Sequence, residues 1–300
     1  MIQIFLHPYE LKLANNSSVR RGYLLKVQDG EGFSGYSDVF PWVEFGDPTY
    51  EQIPNEFNQK SSFELVNRSF ELAHKDLEAR KESRSLIHES SLKNHYSLGT
   101  INSKAIDQVE KALSDGFERI KIKIGREEEN EKDFISYLCK NIHNKDFLRF
   151  DFNTNGNSNY ISFLEQFSDQ IEFIEDPFRD PANWSYQKLE FAFDHPGFSE
   201  DQVKTPWRII KPEKQSGDYP IEEKLVFTSY LGHPVGQAHA FAEAQSWGEQ
   251  KYEYGLMTQF QYEPSDFSER FSVQGPNLSM KVKEGIGFSD ILSNLDWVSL

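Results

Sequence analysis

Residues 119–125 read RIKIKIG, and residues 147–153 read FLRFDFN. In the first run, basic and apolar residues alternate strictly. Lys121 and Lys123 therefore share one face of an extended chain, and Ile120, Ile122 and Ile124 share the other. If the isoleucines pack against helices, both lysines point inward; taken alone, the run also fits a half-exposed strand with solvated lysines. The second run closes with Asp151 and Asn153 on one face, with Arg149 two residues earlier. IEFIEDP (171–177) then ends in Glu175 and Asp176 and is stopped by Pro177. FAFDHP (191–196) ends in Asp194, and WRIIKP (207–212) ends in Lys211 before another proline. Any one of the acids could cap a following helix. Five strands in succession with charged C-terminal ends are harder to explain that way, because barrel enzymes carry their chemistry at those ends.

Working outward, eight strand candidates follow residue 90: His95–Leu98, Arg119–Ile124, Phe147–Asn153, Ile171–Asp176, Phe191–Asp194, Trp207–Lys211, Leu225–Ser229 and Tyr254–Met257. Amphipathic stretches such as AIDQVEKALSDG, EKDFISYLCKNI and VGQAHAFAEAQSWG lie between them. Alternation of this kind implies parallel pairing, and eight units make a (β/α)8-type (TIM-like) barrel. An open doubly wound sheet is disfavoured because no glycine-rich phosphate turn follows a strand. The barrel half is compact, so some helices are expected to be short, notably between Asp194 and Trp207. The acidic run Glu127–Glu131 reads as the solvated first turn of a helix. Before the barrel, IQIFLH, YLLKVQ, the turn DGEG and FSGYSDVF read as strands and a hairpin, followed by a helix over Ser61–Lys81. The expected organisation is an N-terminal α+β capping domain (1–88), a barrel carrying the site (89–285) and a C-terminal segment (286–300) that packs on the cap.

Composition narrows the function. A net charge of −16 over 300 residues argues against a nucleic-acid or anionic-membrane partner. A small anionic carboxylate is still compatible, provided local cations reverse the field in one pocket. The single cysteine, Cys139, allows no internal disulfide and is expected to be buried in a helix. With no signal-like start or spanning segment, a cytoplasmic location is expected. Oligomeric state is not legible.

Asp151, Glu175 and Asp194, from adjacent strands, form an all-oxygen set suited to a hard cation, Mg2+ or Mn2+. Glu200 and Asp201 compete with Asp194 as the third ligand. Lysines beside a dication are pushed toward neutrality, so one of them can serve as a base that removes a proton α to a carboxylate. His233 and His239 read as structural or substrate-contacting. Trp184, Trp207, Trp247 and Trp297 read as packing residues.

At these residues the chain resembles the enolase superfamily and, within it, the o-succinylbenzoate synthase family. FERIKIKIG is similar to the family's second barrel strand, with Lys123 in the position of the catalytic base and Lys121 supporting it. LRFDFN, IEFIEDP and FAFDHP are similar to the strands carrying the metal ligands Asp151, Glu175 and Asp194, and IIKP to the strand whose lysine, Lys211, faces the other side of the substrate. FSGYSDVFPWVEFGD resembles the loop that closes over the substrate. VFTSYLGHPVGQAHAFA resembles the loop that holds the succinyl carboxylate, which implies Ser229 and Gly232 as contacts. Asn153 and Arg149 are implied supports, although a structural role for Arg149 fits equally. His195 departs from the family, where glutamate is common.

The resemblance implies a metal-dependent lyase of menaquinone biosynthesis. It would dehydrate 2-succinyl-6-hydroxy-2,4-cyclohexadiene-1-carboxylate to 2-succinylbenzoate through a metal-stabilised enediolate, with Lys123 taking the α-proton. The same residues would serve an N-acylamino acid racemase or dipeptide epimerase. A non-catalytic barrel protein is disfavoured because all six positions carry competent side chains.

Overall fold

The computed structural model describes residues 2–14, 17–180, 184, 188–194, 205–215, 217 and 223–300. The N-terminal part is an antiparallel sheet backed by a helix. Strands β1 (Gln3–Lys12), β2 (Val19–Gln28) and β3 (Ser34–Val39) pair in sequence order, and the DGEG turn joins β2 to β3. A short helix, α1 (Ile53–Glu56), precedes the long α2 (Glu64–Lys81), which starts three residues later than its sequence pattern suggests. Helix α2 buries Leu65, Val66, Leu72, Ala73 and Leu77. Gly35 allows the close approach of β3, since a Cβ there would lie 2.0 Å from the Ala73 carbonyl oxygen.

After β4 (Leu92–Lys93) comes a parallel sheet. Its strands are β5 (Tyr96–Leu98), β6 (Ile120–Lys123), β7 (Leu148–Asp151), β8 (Ile171–Glu175), β9 (Phe191–Phe193), β10 (Trp207–Ile210) and β11 (Lys224–Phe227), each hydrogen-bonded to the next. Helices α3 (Ala105–Ser114), α4 (Glu128–Asn141) and α5 (Ser158–Leu164) fall between strands, and α6 (Pro234–Ser246) follows β11. Seven of the eight expected strands are therefore present as strands. At the eighth position, Tyr254 and Gly255 make single parallel bridges to Asn94 and Thr228, spanning the two outer ends of the sheet. Too few of its residues pair in register to form a ladder. The segment expected to be short between Asp194 and Trp207 lies largely outside the described residues, as do His195, Glu200 and Asp201.

The alternation read from the sequence sets the two faces. Ile120, Ile122, Ile124, Phe150, Phe152 and Ile174 pack outward in a core shared with Val109, Ile135, Leu138 and Ile161 of the helices. Phe173, Ala192, Trp207, Ile209 and Val226 form a separate apolar layer inside the sheet. Cys139 is buried within α4.

One expectation is corrected at α4. Glu131 is buried rather than solvated: its carboxylate accepts the backbone N–H groups of Gly125, Arg126 and Glu127 at 2.8–3.0 Å and the Tyr160 hydroxyl at 2.9 Å. It satisfies the donors of the turn leaving β6, a use of charge that composition does not reveal.

The chain closes with β12 (Phe271–Gln274), β13 (Asn277–Met280), α7 (Ser289–Leu292) and β14 (Val298–Ser299). β14 adds to the N-terminal sheet beside β1, pairing Phe5 with Ser299 and Leu6 with Val298. Asp76 of α2 accepts the Ile286 N–H at 2.7 Å, and Arg80 donates to the Gly287 carbonyl at 2.6 Å. Among the described residues, no helix is long and apolar enough to cross a membrane.

Candidate active site

Lys123, Asp151 and Glu175 are the last residues of β6, β7 and β8, and Lys123 pairs with Asp151 and Asp151 with Glu175 in register. Asp194 and Lys211 follow β9 and β10 directly. The strands thus bring all of these side chains to one end of the sheet, and Lys121 reaches the same group from two residues below Lys123. Its Nζ donates to both oxygens of Glu175, at 2.9 and 2.7 Å, and lies 3.0 Å from Asp151 Oδ2. Lys211 Nζ forms a short ion pair with Asp194. The reading of Lys121 as a solvated lysine is excluded. Lys123 is half-buried, and its side chain has no hydrogen bond or ion pair among the described residues.

Electrostatics follow from crowding. Burial disfavours the Lys121 ammonium, but the charges of Asp151, Glu175 and Asp194 outweigh it and hold its pKa well above the lysine range. Lys211 behaves likewise, kept charged against burial by Asp194 and Glu175. Burial, together with the charges of Asp151 and Asp194, pushes the Glu175 carboxyl well up despite Lys121. Asp176 rises to about 8 through burial and the nearby Asp194 charge. Lys211 and Lys121 hold Asp194 low against its burial, but the raised Glu175 and Asp176 leave the cluster short of positive charge.

That shortage is the test of fit for a divalent cation. Among the described residues, no three acidic, histidine or cysteine side chains are gathered on one point. The ammonium groups of Lys121 and Lys211 lie against the carboxylates instead. The donor set itself is all carboxylate, which suits a hard cation, and a dication there would favour the ionised form of Glu175. Asp151, Glu175 and Asp194 thus suit such an ion in their chemistry, though they are not gathered on one point.

The supporting residues divide. Asn153, at φ 46°, donates its side-chain N–H to Asp151 Oδ1 at 2.7 Å and its backbone N–H to the same oxygen at 3.1 Å. The left-handed backbone there, and at Asp176 (φ 44°), turns the chain sharply after β7 and β8. Arg149 belongs to a lower layer: it is fully buried, pairs with Glu172 at 2.5 Å, and donates to the Glu253 carbonyl at 2.7 Å. Ser229 lies beside Glu213. At Gly232, the side-chain direction is filled by Asp38 Oδ2 (2.4 Å) and Phe40 of the cap. His233 caps α6, its Nδ1 accepting the Val235 N–H, and His239 bonds the Tyr36 carbonyl.

Sequence reasoning did not single out Asp38, Asp47, Glu213, Lys214 or Tyr230. A small cavity is lined by Asn153, Asp176, Asp194 and Lys211 together with Phe45, Lys214, Gln215 and Tyr230. KPEK (211–214) places a second lysine one turn after Lys211, a signal that strand periodicity does not reach.

Residues 4–79 match the family model for the O-succinylbenzoate synthase N-terminal domain. An o-succinylbenzoate synthase of Bdellovibrio bacteriovorus is 28% identical over 335 aligned positions, which span 100% of this chain and 99% of that protein. In sequence the chain is thus similar to o-succinylbenzoate synthases, over its N-terminal part and over its full length. Solved structures agree on the fold. An enolase superfamily member from Listeria innocua superposes with TM-score 0.74 at 18% identity, covering 99% of this chain and 98% of that one. A dipeptide epimerase from Methylococcus capsulatus, solved with a Mg ion, gives TM-score 0.74 at 15% identity over 96% and 99%. The chain thus shares with these enzymes of the enolase superfamily a fold in which an N-terminal antiparallel domain precedes a parallel sheet, here with charged residues at the C-terminal strand ends.

Proposed function

We propose that this enzyme is an o-succinylbenzoate synthase: a metal-dependent lyase that dehydrates 2-succinyl-6-hydroxy-2,4-cyclohexadiene-1-carboxylate to 2-succinylbenzoate in menaquinone biosynthesis. The observation that carries this reading is the alignment with the Bdellovibrio synthase, which runs the length of both chains. The match of residues 4–79 supports it, because a cap specific to one reaction is where members of one superfamily diverge.

On this reading residues 1–88 form the cap, 89–285 the catalytic barrel, and 286–300 a segment returning to the cap. Lys123, which lacks a partner among the described residues, is the base. Its amine takes the proton α to the ring carboxylate and then, as an ammonium, delivers it to the departing hydroxyl. Water leaves and the ring becomes aromatic, so atoms and charge balance. Lys211 lies across the ring and offsets the developing negative charge, while Lys121 holds Asp151 and Glu175 in place. Asp151, Glu175 and Asp194 would hold Mg2+ (or Mn2+), which supplies Lewis-acid stabilisation of the carboxylate charge that grows as the proton leaves. Ser229 and Gly232 remain proposed contacts to the succinyl arm, and Arg149 a support. The substrate is a small anionic carboxylate, and the reaction places the enzyme in the cytoplasm.

The test is Mg2+-dependent formation of the aromatic product from the cyclohexadiene, followed by its ultraviolet absorbance. If purified protein gives no turnover, yet exchanges the α-hydrogen of N-acylamino acids or dipeptides with deuterated solvent, the epimerase or racemase reading replaces it.

A further inference from the structure

The segment after β3, residues 40–47, reaches the carboxylate-lysine end of the sheet, where Phe45 lines the same cavity as Asp194 and Lys211. One buried cation fastens it there. Lys214 Nζ lies 2.9 Å from Asp47 Oδ1 and donates to the Phe45 carbonyl at 3.0 Å and to the Tyr230 hydroxyl at 3.2 Å. Asp47 in turn accepts the Tyr230 hydroxyl at 2.7 Å and the Trp42 N–H at 3.0 Å, so a single carboxylate collects both sides. The Trp42 indole adds a bond to the Tyr230 carbonyl at 3.1 Å.

The same turn carries Lys211. The N–H groups of Lys214 and Gln215 donate to the Lys211 carbonyl at 2.9 Å, and the Lys211 N–H donates to Gln215 Oε1 at 3.0 Å. Glu213, between the two lysines, accepts the Tyr230 N–H at 2.9 Å. A shift of Lys214 away from Asp47 would thus move a turn four residues long that begins at the site.

We propose that Lys214 is a positioning residue. By gripping Asp47 and the Phe45 carbonyl, it holds residues 40–47 over the carboxylate-lysine cluster and links the seating of that segment to the position of Lys211. A charge-assisted bond made by a buried lysine loses its partner outright when either side is removed, and the effect falls on whichever piece is least anchored otherwise. Here that piece is 41–47, whose short 3₁₀ turn (Val43–Phe45) has no buried residues of its own.

Amide hydrogen exchange on the full chain tests this. In Lys214→Met, a peptide covering 41–47 should exchange at least about tenfold faster, while peptides covering β6 and β7 stay unchanged. Lys214→Arg should recover most of the protection, because it keeps a buried cation. The Asp47→Lys/Lys214→Asp exchange should recover part of it. With the cyclohexadiene substrate, Lys214→Met should raise KM about tenfold and lower kcat less. Unchanged exchange at 41–47, equal loosening of β6 and β7, or no recovery with Lys214→Arg would each overturn the proposal. This kinetic arm rests on the synthase reading. A wild-type protein that does not turn the substrate over sinks that reading, while the exchange comparison still decides the role of Lys214.

Discussion

Two buried charge clusters occupy the interior of one sheet, and they differ in what their charges are free to do. The lower one joins Arg119 and Arg149 to Glu172 and Glu253, two cations against two anions, with His95 Nδ1 2.8 Å from Arg149. Its parts are fixed on one another, and His95 is held well below its ordinary pKa by burial and by the charges of Arg149 and Lys121. The upper one sets Asp151, Glu175, Asp176 and Asp194 against Lys121, Lys123 and Lys211, so acids outnumber bases and one base has no side-chain partner among the described residues. A balanced cluster can only hold the sheet together. An unbalanced one at the open strand ends can accept a cation and a substrate.

The sharpest way to break this contrast is at Lys123. Lys123→Ala should lower kcat for dehydration by about 10^3–10^4-fold, while urea unfolding shows a stability change below about 1 kcal/mol. A loss of less than tenfold would remove Lys123 from the chemistry.

Arg149 should respond in the opposite sense. Arg149→Met leaves Glu172 and Glu253 without their main cation and should cost about 3–5 kcal/mol of stability, with kcat per folded molecule nearly unchanged. A catalytic defect in a stable Arg149→Met protein would merge the two clusters into one functional unit.

Added Mg2+ offers a test that needs no substrate. Binding at a hundred times Kd should raise the unfolding free energy by about 2.7 kcal/mol, measured as a shift in Tm. Glu175→Gln should lose most of that shift and Glu172→Gln none of it.

The smallest effect concerns a third buried acid, Asp38, which accepts the Tyr9 hydroxyl at 2.5 Å and the His233 N–H at 2.8 Å. Burial outweighs both bonds and raises its pKa from 3.8 to about 8. The native state therefore keeps a proton that the unfolded chain loses above about pH 4, and stability contributed at low pH declines as pH rises from there to about 8. Asp38→Asn should flatten that decline, changing the slope of chemical stability against pH by more than about 1 kcal/mol across the window. Parallel slopes for the two proteins would show Asp38 ionised throughout.

Much of this was legible in the residues themselves, for a physical reason. Alternation at 119–125 fixes which side chains enter the sheet, and the prolines at 177 and 212 mark where strands stop. The upper cluster could therefore be assembled from sequence alone. What alternation could not do is assign a layer: Arg149 and Asp151 share a face and a strand, and only the depth of each within the sheet separates a brace from a ligand candidate. Glu131 escaped because its partners are backbone groups of the preceding turn. Lys214 and Asp47 escaped because they meet across 167 residues, in turns where no period operates. At the eighth strand position the pairing is limited to two bridges, Tyr254 to Asn94 and Gly255 to Thr228.

The pairing of β14 with β1 has a consequence for timing. The first strand of the cap meets the last residues of the chain, and Asp76 and Arg80 of α2 bond to residues 286–289. On the ribosome, residues 3–12 can form a hairpin with 19–28 early, yet their outer edge stays open until residue 299 has emerged. The N-terminal sheet therefore begins first and is completed last, after the parallel sheet between has been synthesised.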